Sequence, residues 1–364
     1  MKTVKKLLAL CLTLALVLSF AACAQTEPVA SDEPTATEEV SATEEVTATE
    51  EPTATETPAA TEEATPAEFS IAALKGPTAM GLVKLMKEAE EGTNESGNTY
   101  TFTLAGAADE VTPLLIKGEL DMACVPANLA AVLYAKTEGA VEVLAVNTLG
   151  VLYIVENGET VQSIADLKGQ TIVAAGKGST PEYALRYLLS QNGIDPDNDL
   201  TIDWKNEHSE CVAALAGGQA TIALLPQPFV TVAQSKIEGL RMALDLTEEW
   251  NKLENGSTLI TGVIVARREA VEANPEAVNA FLSEYAASVD WVNANTADAA
   301  AIIGEYGIVD VAVAEKALPY CNIVCLTGSD MLSNLSGYLQ VLADADISSV
   351  GGAMPESDFY YGAE

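Results

Sequence analysis

The feature that most constrains this chain is a phrase it states twice. Lys117–Asn128 reads KGELDMACVPAN, and one hundred residues later Gly217–Pro228 reads GGQATIALLPQP. Gly118 matches Gly218, Ala123 matches Ala223 and Pro126 matches Pro226. Each copy has a glycine that can close a helix, a short apolar strand, and a proline that stops the strand. A polar side chain stands at the proline end of each: Asn128 in the first copy, Gln227 in the second. The offset also holds upstream, where Ile71–Gly76 aligns with Thr171–Gly176 and Thr101–Leu104 with Thr201–Trp204. Four blocks in one register predict two similar α/β lobes, with their loops turned toward each other across a ligand cleft.

Hydrophobic periodicity fills in the lobes. In the first, Phe69–Leu74, Tyr100–Leu104, Leu120–Val125, Val141–Asn147 and Val151–Val155 read as strands. Helical faces are marked by Leu82, Val83, Leu85, Met86 and Ala89, by Val111, Leu114 and Leu115, and by the run from Asn128 to Lys136. In the second, Ile172–Ala175, Leu200–Trp204 and Ile222–Leu225 are strands. Thr180 suits an N-cap with Pro181 at the first helical position, and Ser209 suits a second N-cap. Strand–helix alternation predicts parallel sheets with helices on both faces. Leu259–Ala266 reads as the strand that returns to the first lobe. Crossings near Asn147–Glu156 and Leu259–Ala266 would make a two-strand hinge. Asn274-Pro275-Glu276 opens a helical C-terminal part.

The N-terminus reads as targeting rather than fold. Lys2, Lys5 and Lys6 precede the 12-residue apolar run Leu7–Leu18, too short to span a bilayer and right for a signal segment. It ends in Ser19-Phe20-Ala21-Ala22-Cys23, small residues before a cysteine in the manner of a bacterial lipobox, with Phe20 where Leu is usual. Cys23 is the expected lipidation site; cleavage without lipid near Ala22 or Ala24 is the alternative. Residues 24–68 are mostly Thr, Glu, Ala, Pro and Val, without Lys, Arg or aromatic residues. So little apolar surface cannot offset the entropy of ordering, and the composition predicts a self-repelling tether spanning roughly 35–40 Å as a flexible coil.

The chain carries 18 basic and 53 acidic residues, a formal charge of −35. Beyond the tether a large excess of acidic side chains remains, a surface that repels nucleic acid and anionic headgroups.

Ligands of open α/β sheets bind beyond the carboxyl ends of the strands. Here Gly76-Pro77-Thr78 and Gly178-Ser179-Thr180 are the best pair, one per lobe. Glycine lets the backbone approach a ligand, hydroxyls add donors, and each loop opens a helix with free N–H groups. The bland reading of either loop is a helix cap. Gly176–Thr180 lacks the GxxxxGK[ST] spacing of a phosphate loop, which excludes nucleotide hydrolysis of that type. His208 is the chain's one histidine, so it cannot build a multi-histidine metal site, and no Ser/His/Asp order surrounds it. It is a candidate ligand contact or a surface residue. Cys124 and Cys211 read as buried thiols. Cys321 and Cys325 lack the further ligands zinc needs, and a disulfide between them stays open. Lys75 and Lys177 are the only basic residues in the candidate cleft loops, so the site is expected to be polar rather than strongly cationic. No catalytic residue and no cofactor is expected.

The phrases KGPTAMGLVKLM (75–86), GELDMACVP (118–126), SIADLKGQTI (163–172), LPQP (225–228), ANPEAVNAFLSEY (273–285) and ALPYCNI (317–323), in that order, resemble extracytoplasmic solute-binding lipoproteins of ABC importers, of the nitrate, sulfonate and thiamine-precursor type. The resemblance implies a two-lobe type II periplasmic-binding fold that closes on one small solute and docks on a permease. It implies ligand contacts in the loops matching 76–80, 126–128, 178–182 and 226–228, which adds Met80 to Gly76, Pro77, Thr78, Asn128, Gly178, Ser179, Thr180 and Gln227. The expected organisation is a signal segment (1–22), a tether (23–68), the first part of lobe one (69–150), lobe two (151–260), and the return with C-terminal helices (261–364). The chain is expected to be a lipid-anchored monomer outside the cytoplasm. The alternatives are an enzyme on the same fold, acting on a pyrimidine or quinone precursor, and a surface receptor feeding a sensor.

Overall fold

The computed structural model describes residues 65–363. The expected signal segment, Cys23 and nearly all of the tether lie outside the described residues.

In chain order, β1 (Glu68–Leu74) leads to a single turn, α1 (Pro77–Met80), then α2 (Val83–Glu91), β2 (Thr99–Ala105), α3 (Ala108–Lys117), β3 (Met122–Pro126), α4 (Ala127–Lys136) and β4 (Val141–Leu149). The chain then enters β5 (Leu152–Glu156), β6 (Thr171–Ala175), α5 (Thr180–Gln191), β7 (Thr201–Lys205), α6 (His208–Ala216), β8 (Ile222–Pro226), α7 (Phe229–Lys236), β9 (Arg241–Asp245) and α8 (Leu246–Asn251). It returns through β10 (Ile260–Arg267) to α9 (Arg268–Ala273), α10 (Pro275–Ala294), α11 (Thr296–Glu305), α12 (Val311–Ala317), β11 (Ile323–Leu326) and α13 (Gly328–Ala345).

The strands form two sheets, ordered β2-β1-β3-β10-β4-β11 and β7-β6-β8-β5-β9. With β11 set aside, the two orders match: second strand, first, third, crossing strand, fourth. Neither sheet is wholly parallel, contrary to the expectation from alternation. β10 runs antiparallel to β3 and β4, and β5 antiparallel to β8 and β9. A strand that enters a sheet at the edge its neighbours leave from must run against them.

The internal echo holds with one adjustment. Ile71 pairs with Phe102 and Met122 in the first sheet, and Ile172 with Ile202 and Ile222 in the second. The second and third strands keep the hundred-residue offset. The first strand slips one residue beyond it, because Ile172 rather than Thr171 occupies the row of Ile71. Thr171 is exposed and Ile172 is buried, so the row is set by which side chain can enter the core.

The central strands are apolar on both faces, as parallel strands covered by helices must be. On one face of the first sheet, Val125, Val143, Val146, Val263 and Val265 join a core with α4 and α13. On the other, Met122, Cys124, Leu144, Ile264 and Ala266 meet α2 and α10. The first of these cores continues into the second lobe through Leu152, Ile154, Ile172 and Leu224. Helix α13 carries it across, packing on β4 and α4 of one lobe and on α5 of the other. The third core, Tyr153, Val155, Val173, Cys211, Leu215 and Leu225, belongs to lobe two alone.

Two connections join the lobes. One is Gly150-Val151, the only residues between β4 and β5. The other is the segment between α8 and β10. They touch: a Cβ on Gly150 would collide with the Thr247 hydroxyl and lie 3.1 Å from Leu259 Cδ2. Asn322 braces the crossing from lobe one, its Nδ2 donating to Gly150 O at 2.5 Å while its carbonyl accepts from Leu149 N. From lobe two, Gln227 N donates to Val151 O at 3.0 Å. The prediction is that Gly150→Ala destabilises by about 1–3 kcal/mol, the usual cost of overpacking. Denaturant unfolding measures it, and an unchanged midpoint would mean the two connections are not packed as described.

Candidate functional site

The crossing geometry places the site. β5 begins at Leu152, opposite Pro226 at the end of β8, and Gly262 near the start of β10 stands opposite Pro126 at the end of β3. Both echoed prolines therefore flank the hinge, and the carboxyl ends of the parallel strands in both sheets face the same hinge region. The loops after β1 and β3 belong to one rim, those after β6, β7 and β8 to the other.

Across the hinge the rims touch at one buried polar group. Asn128, in the first turn of α4, donates from Nδ2 to Gly178 O at 3.5 Å and to Ser349 O at 3.2 Å. Thr180 Oγ1 donates to Asn128 Oδ1 at 3.5 Å. Asn128 is 1% exposed and Thr180 is fully buried. These contacts are long for hydrogen bonds, so a bridging oxygen with better geometry could replace them at small cost. Tyr338 of α13 stands beside Thr180, though its buried hydroxyl makes no hydrogen bond of good geometry. Its ring packs on Trp250, centroids 5.6 Å apart.

The loop after β6 is held by its own side chains. Ser179, rather than Thr180, is the N-cap residue of α5, with Pro181 in its first turn. Ser179 Oγ turns back to Gly176 O at 2.8 Å. Gly178 N donates to Glu182 Oε2 at 2.7 Å, and Glu182 pairs with Arg186 Nε at 2.9 Å. Gly176 and Gly178 both have positive φ, 87° and 76°, which makes glycine the natural residue there. In lobe one Gly76 has φ 142°, and Thr78 Oγ1 donates to Leu74 O at 2.9 Å, which leaves its lone pairs as acceptors.

The other expected contacts are dispersed. Gln227 is buried, with Oε1 accepting from Thr231 Oγ1 at 2.9 Å, so it holds the loop after β8 to the start of α7. Pro77 is the first residue of α1, after the N-cap Gly76. Met80 is fully buried in the core between α2 and α10, its sulfur 3.8 Å from Cys321 Sγ. His208 opens α6, which the sequence reading began near Ser209. Its ring lies 5.3 Å from Phe229, and Nδ1 is buried without a partner among the described residues. Cys124, Cys211, Cys321 and Cys325 are free thiols. Among the described residues no cluster of His, Cys, Asp and Glu has metal-ligand spacing. Lys75 and Lys177 are exposed, one on each rim.

Sequence reasoning missed Tyr338 and Ser349, which lie more than 150 residues from Asn128 and Thr180 in the chain. Tyr338 falls at helical spacing with Leu335 and Leu342, the pattern of an ordinary core residue.

Burial pushes the His208 imidazole down to about 4. In the unfolded chain it titrates near 6.5. Between those values the unfolded state binds the extra proton, so His208 lowers stability as pH falls from about 6.5 toward 4. Discounted for the part of the ring that meets solvent, the effect is on the order of 2 kcal/mol. The difference between wild type and His208→Gln, followed by denaturant unfolding from pH 7 to 4, is expected to narrow by that amount. A constant difference would show that the ring titrates normally.

The sequence profile of the phosphonate periplasmic substrate-binding proteins of ABC transporters matches residues 89–318. Curated binding proteins from Brucella abortus and Brucella melitensis are 25% identical over 236 residues, 63% of this chain and 70% of theirs. Among solved structures, an ABC transporter protein from Parabacteroides distasonis superposes with a TM-score of 0.67 at 21% identity, covering 80% of this chain and 98% of its own. The periplasmic aliphatic sulphonate binding protein of Escherichia coli gives 0.66 at 16% identity, covering 81% and 96%. The nitrate-binding protein of Synechocystis gives 0.52 at 14% identity, covering 68% of each chain. The superpositions show a shared fold, and with the profile match over most of the folded part, the chain belongs to the periplasmic substrate-binding proteins of ABC transporters.

Proposed function

We propose that this protein captures one small, oxygen-rich solute between its lobes, in the phosphonate or sulfonate class, and hands the closed form to an ABC permease. The observation that carries this reading is the buried contact of Asn128 with Gly178 and Thr180, made by the two rims at the mouths of α4 and α5. Uncharged amide and hydroxyl donors line the contact, and the exposed Lys75 and Lys177 flank it. Such a site suits an oxyanion held by hydrogen bonds, with the lysines adding long-range attraction. The family description names phosphonate, and the Escherichia coli neighbour is named for aliphatic sulphonate.

In this reading Thr78, Asn128, Gly178, Thr180 and Gln227 line the cleft, with Gly76, Pro77 and Ser179 shaping its loops. Met80 and His208 support them from behind. Residues 69–150 and 261–364 make one lobe and 151–260 the other. A solute that touches both rims stabilises the closed form by its differential contacts. Cys23 carries a lipid and residues 24–68 give the domain reach from the membrane. The chain acts as a monomer and performs no chemistry on its solute.

Native mass spectrometry of the purified protein, before and after mild denaturation, is expected to release one compound of defined mass. Adding it back to refolded protein, or adding methylphosphonate or ethanesulfonate, is expected to lower the radius of gyration in X-ray scattering. Thr180→Val is expected to weaken binding about tenfold, the loss of one buried hydrogen bond to a charged group. Saturable binding with no compaction would sink the closure mechanism, and conversion of the compound would sink the transport reading.

A further inference from the structure

The pairing of β4 with β10 slips three times: once at apolar Leu144, and twice near the hinge, where the two slips cancel. Ile260 pairs with Leu149, Gly262 with Thr148, and Val263 with Val146. The first step leaves Thr261 as an extra residue on β10. The second leaves Asn147 as an extra residue on β4. The register before and after the pair is the same, so the sheet gains nothing from them. Bulges re-aim side chains, and they gather beside functional sites.

The two extra residues are also the two whose side chains are left unpaired. Asn147 is fully buried. Its Oδ1 accepts from Thr148 Oγ1 at 3.0 Å, and Nδ2 is the free end. Nδ2 has no hydrogen-bond partner of good geometry among the described residues, and beside it lies the thiol of Cys124, a weak acceptor. Thr261 Oγ1 is likewise buried without a partner. A buried donor left unpaired is costly, and an apolar residue of the same shape would remove that cost.

Gly262 makes the convergence possible. A Cβ there would lie 2.6 Å from Asn147 Oδ1 and 2.6 Å from Thr78 Cγ2. The loop after β1, the end of β4 and the start of β10 thus meet over Gly262, with Asn147 three residues before the Gly150 crossing.

Building on the solute-binding reading above, we infer that Asn147 Nδ2 and Thr261 Oγ1 are a donor pair for an oxygen acceptor of the captured solute. Asn147 lies beside Cys124, whose side chain joins the core with α2 and α10 rather than the one with α4, so it takes a different part of the solute from Asn128 and Thr180. Its position beside the hinge strand couples occupancy to closure. The acceptor is an oxygen of an oxyanion or of a carbonyl, since both present lone pairs to N–H and O–H donors.

The test uses the full chain, stripped of solute by unfolding and refolding. Wild type, Asn147→Leu and Thr261→Val are titrated calorimetrically with methylphosphonate, ethanesulfonate and uracil. Both variants are expected to lose at least tenfold in affinity for whichever probe wild type binds. Loss with methylphosphonate or ethanesulfonate assigns an oxyanion, and loss with uracil assigns a carbonyl. The stripped Asn147→Leu protein is expected to melt no lower than wild type. Wild-type affinity in either variant would overturn the donor pair and leave the solute-binding reading intact. A melting temperature several degrees lower in Asn147→Leu, with affinity kept, would assign the amide to structure and also overturn it. A wild type that binds none of the three probes would overturn the solute-binding reading together with this inference.

Discussion

Everything in this molecule depends on how little chain joins its two sheets. Only Gly150 and Val151 separate β4 from β5, and the returning segment packs against them at Leu259. So short a crossing dictates that the carboxyl ends of both sheets meet at the hinge. It also dictates that β5 and β10 run against the strands beside them. The bracing of Gly150 by Asn322 and of Val151 by Gln227 ties each half of the crossing to a different lobe. Helix α13 adds a third tie, because one apolar core runs along it from lobe to lobe. In the proposed hinge motion α13 would slide on one of the lobes, and the Tyr338–Trp250 ring pair stands where α13 meets α8. Sliding of packed helices is a common way for lobes to move without breaking a core.

Ionised side chains are arranged around that constraint. Burial pushes Glu156 up, but hydrogen bonds from Thr160, Val161 and Arg241 outweigh it and hold its carboxyl below the usual range. Asp121 is held low in the same way by Ser70 and Arg267, against its own burial. Arg268 spans Glu142 and Asp358. These groups sit at the strand ends away from the hinge: Glu156 stands opposite Ile222 at the start of β8, and Glu142 opposite Ala266 near the end of β10. The hinge side carries mainly amides and hydroxyls, with Lys75 and Lys177 exposed on the rims and Asp245 opposite Tyr153. Glu182, also on this side, is engaged by Arg186 and by the N–H of Gly178. If the solute is held there as proposed, neutral donors make the close contacts and discriminate by geometry rather than by total charge.

Much of this was legible in the sequence, and the misses have physical causes. The repeated phrase located β3 and β8, the echoed prolines and the existence of two lobes, because both copies answer to one packing requirement. Strand interiors were readable wherever both faces are buried, as in β3 and β10. The edge strand β11 was not, since Ile323–Leu326 is short and partly exposed inside a helical region. The N-cap of α5 was placed one residue late: both Ser179 and Thr180 have the right chemistry, and only backbone geometry decides between them. The candidate site was half legible. Loop glycines and the polar residues after prolines announce themselves by type. Asn147 and Thr261 do not, because nothing in VLAVNT or LITGV marks a register slip, and a slip exists only between two strands.

The echo also conceals an asymmetry that bears on function. After β1 the chain passes from Gly76 straight into a helix of four residues, and Gly81 ends it where Tyr285 and Ile323 press within 2.9 Å of any Cβ. After β6 the loop is longer, and α5 runs for 12 residues. A single turn has almost no macrodipole, whereas three turns give close to the full effect at the N-terminus. The field on a bound oxyanion from these two matched loops therefore comes mainly from lobe two. In the proposed reading lobe one compensates with side chains, Thr78 at the loop and Asn147 and Thr261 behind it. On that proposal a duplicated framework presents two different chemistries to one solute, a backbone field from one side and fixed hydrogen-bonding groups from the other. That difference gives the solute a preferred orientation, which a symmetric cleft would not.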